Sequence, residues 1–204
     1  MIYEVRTYDM KPGSVAEFEE NFGKALPARQ EVSPLAAFFH TDIGPLNQVI
    51  HIWPYDSEDH REECRGTSVE GWPPPNGGNI LNMHSQIWNP ADFMRPMGGG
   101  QELGSIYEMR IYTYQEGSKD EVLSRWANCV PHREQYSPLA AGMYSDLEDG
   151  TFQWMHVWPY EDLGARGRVR AEAAENPNWP PPTREFLLSQ ENKIVIPASF
   201  SPMR

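Results

Sequence analysis

A strand-like segment of seven residues occurs twice in this chain, about a hundred residues apart. Residues 2–8 read Ile-Tyr-Glu-Val-Arg-Thr-Tyr, and residues 106–112 read Ile-Tyr-Glu-Met-Arg-Ile-Tyr. Both copies are rich in β-branched and aromatic residues, which favour β-strands. Because the similarity continues after both segments, the sequence predicts a tandem duplication of one structural unit.

Each copy continues in the same order after its first strand. A helical pattern, two more strands, a polar second helix, a Trp-Pro-Pro-Pro segment and a fourth strand follow. This is the order of a ferredoxin-like unit. The predicted fold class is therefore α+β, with two tandem ferredoxin-like repeats whose antiparallel sheets pack into an α+β barrel with helices outside. The predicted boundaries are 1–96 for the first repeat, 97–104 for a Gly-rich linker and 105–204 for the second repeat.

Composition argues against two classes of partner and favours one compartment. The formal net charge of -12 argues against binding to the phosphate backbone of nucleic acid. No apolar run approaches the roughly 20 residues of a membrane span, and no basic and apolar signal segment opens the chain. The two cysteines, Cys64 and Cys129, have neither disulfide-framework nor metal-ligand spacing. We therefore expect a cytoplasmic protein that binds neither nucleic acid nor membrane.

The alternation of side chains along the strands predicts which face meets the helices. Ile50 and Ile52 are apolar, as are Met155 and Val157 at the matching positions, so this face is expected to pack under the helices. The opposite face is then expected to line the barrel interior. That set comprises Glu4, Arg6, Tyr8, His51, Trp53, Glu108, Arg110, Tyr112, His156 and Trp158.

Two interpretations of this polar and aromatic set remain open. It can be a structural network of ion pairs that stiffens the barrel, because buried charges need partners. It can equally be the polar patch of an aromatic small-molecule site. In the second case, the catalytic candidates are His51, His156, Glu4, Glu108, Tyr8 and Tyr112, and the histidines act as general acid or base. The substrate-binding candidates are Arg6, Arg110, Trp53, Trp158, His40 and Tyr144.

Two other functions compete with that interpretation. His40, His51 and His84, with Glu4, offer ligand types that suit zinc, iron or copper, so a metal or haem site is one alternative. The Trp-Pro-Pro-Pro segments at 72–75 and 179–182 offer the other. They either dock a protein partner, as Pro-rich segments do, or serve as stiff connectors whose Trp caps the barrel mouth. No fingerprint of an organic cofactor is present, so none is predicted.

Several of these motifs together resemble the NIPSNAP family. They are the strand pattern Tyr-Glu-x-Arg-x-Tyr, the Trp-Pro-Tyr segments, the arginines that follow them and the tail 200–202. The arginines are Arg61 and Arg65 in the first copy, and Arg166, Arg168 and Arg170 in the second. The resemblance implies the dimeric α+β barrel fold, which single-unit members form between two chains and which two fused units could form alone.

The family has no well-established common reaction, so the resemblance transfers no catalytic residue. Related barrel families include cofactor-independent monooxygenases and haem enzymes with a proximal His. We expect a small organic ligand and favour an enzyme that performs oxygenation, isomerisation or hydrolysis. Self-association into a homo-oligomer is a further expectation.

Overall fold

The computed structural model describes residues 1–204, and both copies have the predicted order of elements. The first copy consists of β1 (Ile2–Met10), α1 (Val15–Gln30), β2 (Ala37–Ile43), β3 (Gln48–Tyr55), α2 (Glu58–Gly66) and β4 (Ile80–Pro90). The second consists of β5 (Ile106–Tyr114), α3 (Lys119–Arg133), β6 (Ala141–Asp146), β7 (Phe152–Tyr160), α4 (Leu163–Ala174) and β8 (Leu187–Pro197). A short 3-10 turn, Arg184–Phe186, precedes β8.

In the first unit, β3 pairs with both β1 and β2, and β1 also pairs with β4. In the second unit, β7 pairs with both β5 and β6. In the first copy, antiparallel pairing places Glu4 opposite Trp53 and Arg6 opposite His51. The pairing of β5 with β7 repeats this register, with Glu108 opposite Trp158 and Arg110 opposite His156. The predicted α+β fold with two ferredoxin-like repeats is confirmed. No helix combines the length and the apolar character that a membrane span requires.

The chain forms two compact units that do not coincide with the two repeats. The first unit contains Met1–Trp88, Met97–Glu102 and Val195–Arg204, and the second contains Asn89–Pro96 and Leu103–Ile194. The end of each repeat therefore packs in the unit of the other repeat.

Aromatic contacts hold the C-terminal end of each repeat in the unit of the other repeat. In the first unit, the ring of Phe200 lies 5.0 Å from Phe38 and 5.8 Å from Phe22. Gly23 of α1 makes room for it, since a Cβ at that position would lie 2.8 Å from the Phe200 ring. In the second unit, Phe93 packs 5.8 Å from Trp154.

The sequence prediction of which sheet face meets the helices was wrong. Phe22 of α1 lies 5.3 Å from His51 and 6.3 Å from Trp53, so the face with the polar and aromatic set packs under the helices. Ile50 and Ile52, predicted to lie there, are buried on the opposite face. Because both faces are buried, apolar character could not distinguish them. The large aromatic rings fill the space between sheet and helix, and charged groups from α2 neutralise the strand carboxylate.

Candidate functional site

Each unit has a pocket between its sheet and its helices, with a volume of about 400 Å³ in the first unit and about 470 Å³ in the second. The two pockets are lined by matching residues. Those of the first pocket include Arg6, Tyr8, Phe22, Arg29, His51, Trp53, Arg65 and Trp72. Those of the second pocket include Arg110, Tyr112, Trp126, Arg133, His156, Trp158, Arg170 and Trp179. The strand arginines, tyrosines, histidines and tryptophans predicted to line the barrel interior therefore line a pair of pockets on the helix side of the sheet.

The carboxylate of Glu4 is fully buried beside the first pocket and is surrounded by donors. Arg6 and Arg61 donate to it at 2.8 and 2.6 Å, Arg65 at 3.3 Å, and the hydroxyl of Ser85 at 2.6 Å. Burial raises the pKa of Glu4, but the hydrogen bonds from Arg61 and Ser85 and the charges of Arg6 and Arg65 outweigh it. The resulting pKa is about 2.

Glu108 has the same environment in the second unit. Arg110 and Arg166 each donate to it at 2.7 Å, and Arg170 and Asn192 each at 3.1 Å. Burial raises its pKa, and the hydrogen bond from Arg166 and the charges of Arg170 and Arg110 lower it to about 2. Both carboxylates thus stay ionised near neutral pH with their oxygens occupied. This geometry favours the structural ion-pair interpretation for Glu4 and Glu108 over a catalytic role.

The buried histidines have a defined tautomer. The indole N–H of Trp53 donates to Nδ1 of His51 at 2.6 Å, and that of Trp158 donates to Nδ1 of His156 at 2.7 Å. An indole nitrogen only donates, so Nδ1 accepts and the ring proton lies on Nε2. In both histidines Nε2 is buried and has no hydrogen-bond partner. Each ring therefore offers a free N–H donor.

Both imidazoles are neutral near physiological pH. Burial, followed by the charge of Arg6, lowers the pKa of His51 to about 3. Burial and the charge of Arg110 likewise hold the pKa of His156 well below its ordinary range. A neutral imidazole whose only unpartnered nitrogen has the proton is a hydrogen-bond donor rather than a general base.

An arginine at the end of each long helix was not among the predicted site residues. Arg29 is buried and donates through Nη1 to the carbonyl of Cys64 at 2.8 Å. Arg133 is 2% exposed and donates through Nη2 to the hydroxyl of Tyr160 at 2.9 Å, while its Nη1 has no partner. Its guanidinium lies 4.4 Å from the ring centroid of Trp158, and burial lowers its pKa.

The predicted tyrosines and arginines of the first strands do lie in the pockets. Nε of Arg6 donates to the hydroxyl of Tyr8 at 3.0 Å, and Nε of Arg110 donates to that of Tyr112 at 2.7 Å. Each guanidinium is thereby tied to both a carboxylate and a phenol. The rings of Tyr8 and His51 meet edge to face at 4.8 Å, so these polar groups share a wall with the aromatic surface.

His40 and Tyr144, predicted to bind substrate, lie outside the two pockets. Nδ1 of His40 is 2.8 Å from the carboxylate of Glu19 on α1, a contact that raises the histidine pKa. Tyr144 lies under Lys119, whose Nζ is 5.1 Å from the ring centroid. Both predictions assumed a common cavity, whereas these side chains contact the first turns of a helix instead.

The structure does not bring the three histidines of the metal alternative together. His84 pairs with Thr7 and so lies on the sheet face opposite His51, while His40 contacts Glu19. No group of three His, Cys, Asp or Glu side chains could hold a metal ion. His51 does not fit an axial haem ligand, since ligation through Nε2 would put the proton on Nδ1, where Trp53 already donates.

The Trp-Pro-Pro-Pro segments form walls of the pockets. Trp72 lies 5.1 Å from Phe22 in the first unit, and Trp179 lies 5.6 Å from Trp126 in the second. The prolines after each Trp line the same pockets. This placement favours the stiff-connector interpretation, except that the Trp closes a pocket beside the helix and not the mouth of the barrel. Docking of a protein partner on these segments stays a prediction.

Acidification is expected to destabilise the fold in two stages, which urea unfolding between pH 8 and 3 can measure. A folded pKa below its unfolded value contributes stability above the unfolded pKa, and that stability is lost as pH falls through the folded pKa. His51 and His156 therefore reduce stability below about pH 6.5, and Glu4 and Glu108 below about pH 4.5.

A variant at His40 provides the control for this pH dependence. Its pKa is raised by Glu19, so the pair contributes stability below the unfolded pKa and loses it as pH rises. We expect His40→Gln to show a steeper fall below pH 6.5 than the unaltered protein. A free energy of unfolding that stays constant from pH 8 to 4 in both proteins would contradict the assigned protonation states.

The comparisons with known proteins agree with the duplicated fold. The family model described as NIPSNAP matches residues 3–95 and 107–202. Protein NipSnap homolog 3B of Homo sapiens is 29% identical over 221 residues, which cover 99% of this chain and 85% of that protein. Protein NipSnap of Drosophila melanogaster is 22% identical over 217 residues, with 99% and 78% covered.

A solved structure extends the likeness to the whole fold. A presumed monooxygenase from Lactobacillus acidophilus NCFM superimposes with a TM-score of 0.66 over 97% of this chain and 94% of that one. At 11% sequence identity the likeness concerns the fold alone. The two matches of the family model cover nearly the whole chain, one for each repeat. The chain therefore belongs to the NIPSNAP family.

Proposed function

We propose that this protein binds a small organic molecule in the pocket of each unit and acts on it as an enzyme without a bound organic cofactor. The observation that supports this most is the unpartnered Nε2–H of a buried histidine at an aromatic pocket. Leaving a buried donor unsatisfied costs about 1–3 kcal/mol, a cost that a ligand oxygen would remove. A few fixed polar groups in an aromatic cavity of this size are typical of small-molecule sites.

The chemistry proposed is stabilisation of negative charge on a bound oxygen. Neutral His51 and His156 donate from Nε2, and the arginines beside them supply positive charge. Oxygenation of an activated carbon, isomerisation through an enolate and hydrolysis through a tetrahedral intermediate all develop such charge. Donors that are fixed before the reaction stabilise it without reorganisation. In this proposal the histidines act as donors, not as bases.

A second candidate, binding without turnover, is favoured by one observation. Both strand carboxylates are saturated with donors and both imidazoles are neutral donors, so neither Glu4 nor His51 is poised to accept a proton. The two candidates make the same prediction for ligand binding. They differ in whether a bound ligand is chemically changed, which mass spectrometry of the recovered ligand would detect.

A ligand screen with two matched variants tests the proposed function. A library of planar organic molecules is screened by thermal shift. Native mass spectrometry then measures how many molecules of each hit bind to one chain. We expect up to two ligands per chain, and at least tenfold weaker binding in one pocket for Trp72→Ala and in the other for Trp179→Ala, because each Trp is a wall of its pocket.

The control is Leu46→Ser, which alters an exposed side chain on a loop. It should leave both the number of bound ligands and their affinities unchanged. Failure of every library member to bind would overturn the proposal. Hits whose affinity is the same in both Trp variants would overturn it too, since they would bind elsewhere.

A further inference from the structure

The immediate surroundings of the second pocket have an excess of positive charge. Beside the single carboxylate of Glu108 lie four guanidinium groups, those of Arg110, Arg133, Arg166 and Arg170. No Asp or Glu lines the pocket itself. The whole chain has a net charge of -12, so this local excess is the opposite of the overall composition. Uncompensated positive charge at a buried site favours an anionic ligand.

Two buried donors of the second pocket lack acceptors. Nη1 of Arg133 and Nε2 of His156 have no hydrogen-bond partner, and both side chains are 2% exposed. Both residues line the second pocket, and the charge of Arg133 acts on His156. A carboxylate has two oxygens and would provide an acceptor for each donor. A single carbonyl oxygen has two lone pairs and could accept from both donors, but only the carboxylate adds the negative charge that pairs with Arg133.

The apolar part of the ligand is indicated by the aromatic side chains of the same pocket. Trp126, Trp158 and Trp179 surround the pocket, with ring centroids 5.6 Å apart for Trp126 and Trp179 and 5.8 Å apart for Trp158 and Trp179. Flat rings at these separations offer faces and edges to a planar apolar body. The ligand thus has a flat apolar end and an anionic end.

The first pocket lacks one of the two free hydrogen-bond donors of the second. Nη1 of Arg29, at the position of Arg133, already donates to the carbonyl of Cys64 at 2.8 Å. Nε2 of His51 remains unpartnered there, so the first pocket has one fewer free donor for an anion. The wall residue that matches Trp126 is Phe22, which has a smaller ring.

We infer that the second pocket is the tighter of two sites for a planar organic carboxylate, with Arg133 and His156 binding the carboxylate and the three Trp rings packing against the apolar body. This inference rests on the proposed function, because it names the ligand class of the same pockets. It assigns Arg133, and not its counterpart Arg29, as the residue that sets the preference for an anion.

Calorimetric titration with an isosteric pair of probes tests the assignment. The probes are 2-naphthoate and 2-naphthamide, which share shape and ring system and differ in charge. At pH 7.5 we expect 2-naphthoate to bind at two sites of unequal affinity. We expect 2-naphthamide to bind the tighter site at least tenfold more weakly, since it lacks the charge and the second acceptor oxygen.

Matched arginine variants identify which pocket sets the preference. Arg133→Gln and Arg133→Met should both weaken 2-naphthoate binding at the tighter site by tenfold or more and leave the weaker site unchanged. Arg29→Gln should leave the tighter site unchanged. Two different replacements are used because either one alone could disturb folding, which circular dichroism and the melting temperature report. If neither folds, Trp179→Ala should weaken the tighter site and Trp72→Ala the weaker one.

The outcomes separate this inference from the function it rests on. Equal affinity for 2-naphthoate and 2-naphthamide would overturn the carboxylate assignment and leave small-molecule binding intact. Loss of the tighter site in Arg29→Gln, or in Trp72→Ala, would overturn the assignment to the second pocket. If neither probe binds at concentrations where other library members do, the carboxylate assignment alone is overturned. Absence of binding by every molecule would overturn both.

Discussion

Replacing Glu108 by Gln is expected to lower the free energy of unfolding by about 3–5 kcal/mol, as for removal of one partner from a buried charge network. The carboxylate of Glu108 is fully buried and accepts from Arg110, Arg166 and Arg170. A neutral amide in its place leaves three guanidinium groups close together without a counter-charge. Urea unfolding at pH 7, followed by circular dichroism, measures the loss.

Glu20→Gln is the matched control for this prediction. Glu20 pairs with Lys24 at 2.5 Å, but the two side chains are 67% and 68% exposed. Solvent screens such exposed pairs, so only a small change is expected. A similar loss in both variants would contradict the view that the Glu108 network holds α4 and β5 together. A Glu108→Gln protein as stable as the unaltered chain would contradict it more strongly.

Replacing Trp158 by Phe is expected to let His156 populate both of its neutral tautomers. The variant loses the indole N–H that donates to Nδ1, and a buried acceptor left without its donor costs about 1–3 kcal/mol. In the unaltered protein, nitrogen NMR shifts should show an unprotonated Nδ1 and a protonated Nε2 for His156. In Trp158→Phe both tautomers should be populated, and the free energy of unfolding should fall.

Trp154→Phe controls for the lost ring volume. Trp154 lies on the same strand, two residues from His156, and its indole nitrogen has no hydrogen-bond partner. The two variants remove equally large rings, but only Trp158→Phe removes a hydrogen bond to the imidazole. The His156 tautomer should therefore be unchanged in Trp154→Phe. A proton on Nδ1 of His156 in the unaltered protein would contradict the assignment of its free donor.

The repeated strand was enough to predict the fold, because a duplicated order of strands and helices leaves few ways to bury both sheets. The orientation of the sheet was not predictable in the same way. Tyr3 and Val5 are buried, and so is Glu4, so alternation along β1 separates two buried faces rather than an inner and an outer one. What reverses the expectation is the pairing of Glu4 with Arg61 and Arg65 of α2, contacts that join residues more than fifty positions apart.

Part of the candidate site was also within reach of the sequence. The pocket aromatics Trp53 and Trp158, the histidines and the strand arginines were identified from the strand face alone. Arg29 and Arg133 were not, although a signal existed. In α3 the apolar positions Val122, Trp126 and Val130 continue at helical spacing to Arg133, and α1 repeats the pattern. A charged residue on an apolar stripe in both copies indicates a buried functional or structural cation.

The roles of the histidines depend on a hydrogen bond that the spacing of residues in the sequence does not predict. His156 and Trp158 lie on one strand face two residues apart, which is common in sheets. Only the structure shows that the indole N–H donates to Nδ1 and thereby fixes the proton on Nε2. Because of that hydrogen bond, the imidazole is a fixed donor, whereas the sequence predicts a general acid or base.

A crystal structure of the protein with 2-naphthoate tests the central claim most directly, namely that the functional pocket lies between the sheet and the helices of each unit. We predict that the carboxylate of the ligand lies within hydrogen-bonding distance of Nη1 of Arg133 and Nε2 of His156, with the rings against Trp126, Trp158 and Trp179. Ligand density on the opposite face of the sheet, or an empty second pocket at a concentration where calorimetry shows saturation, would contradict the claim.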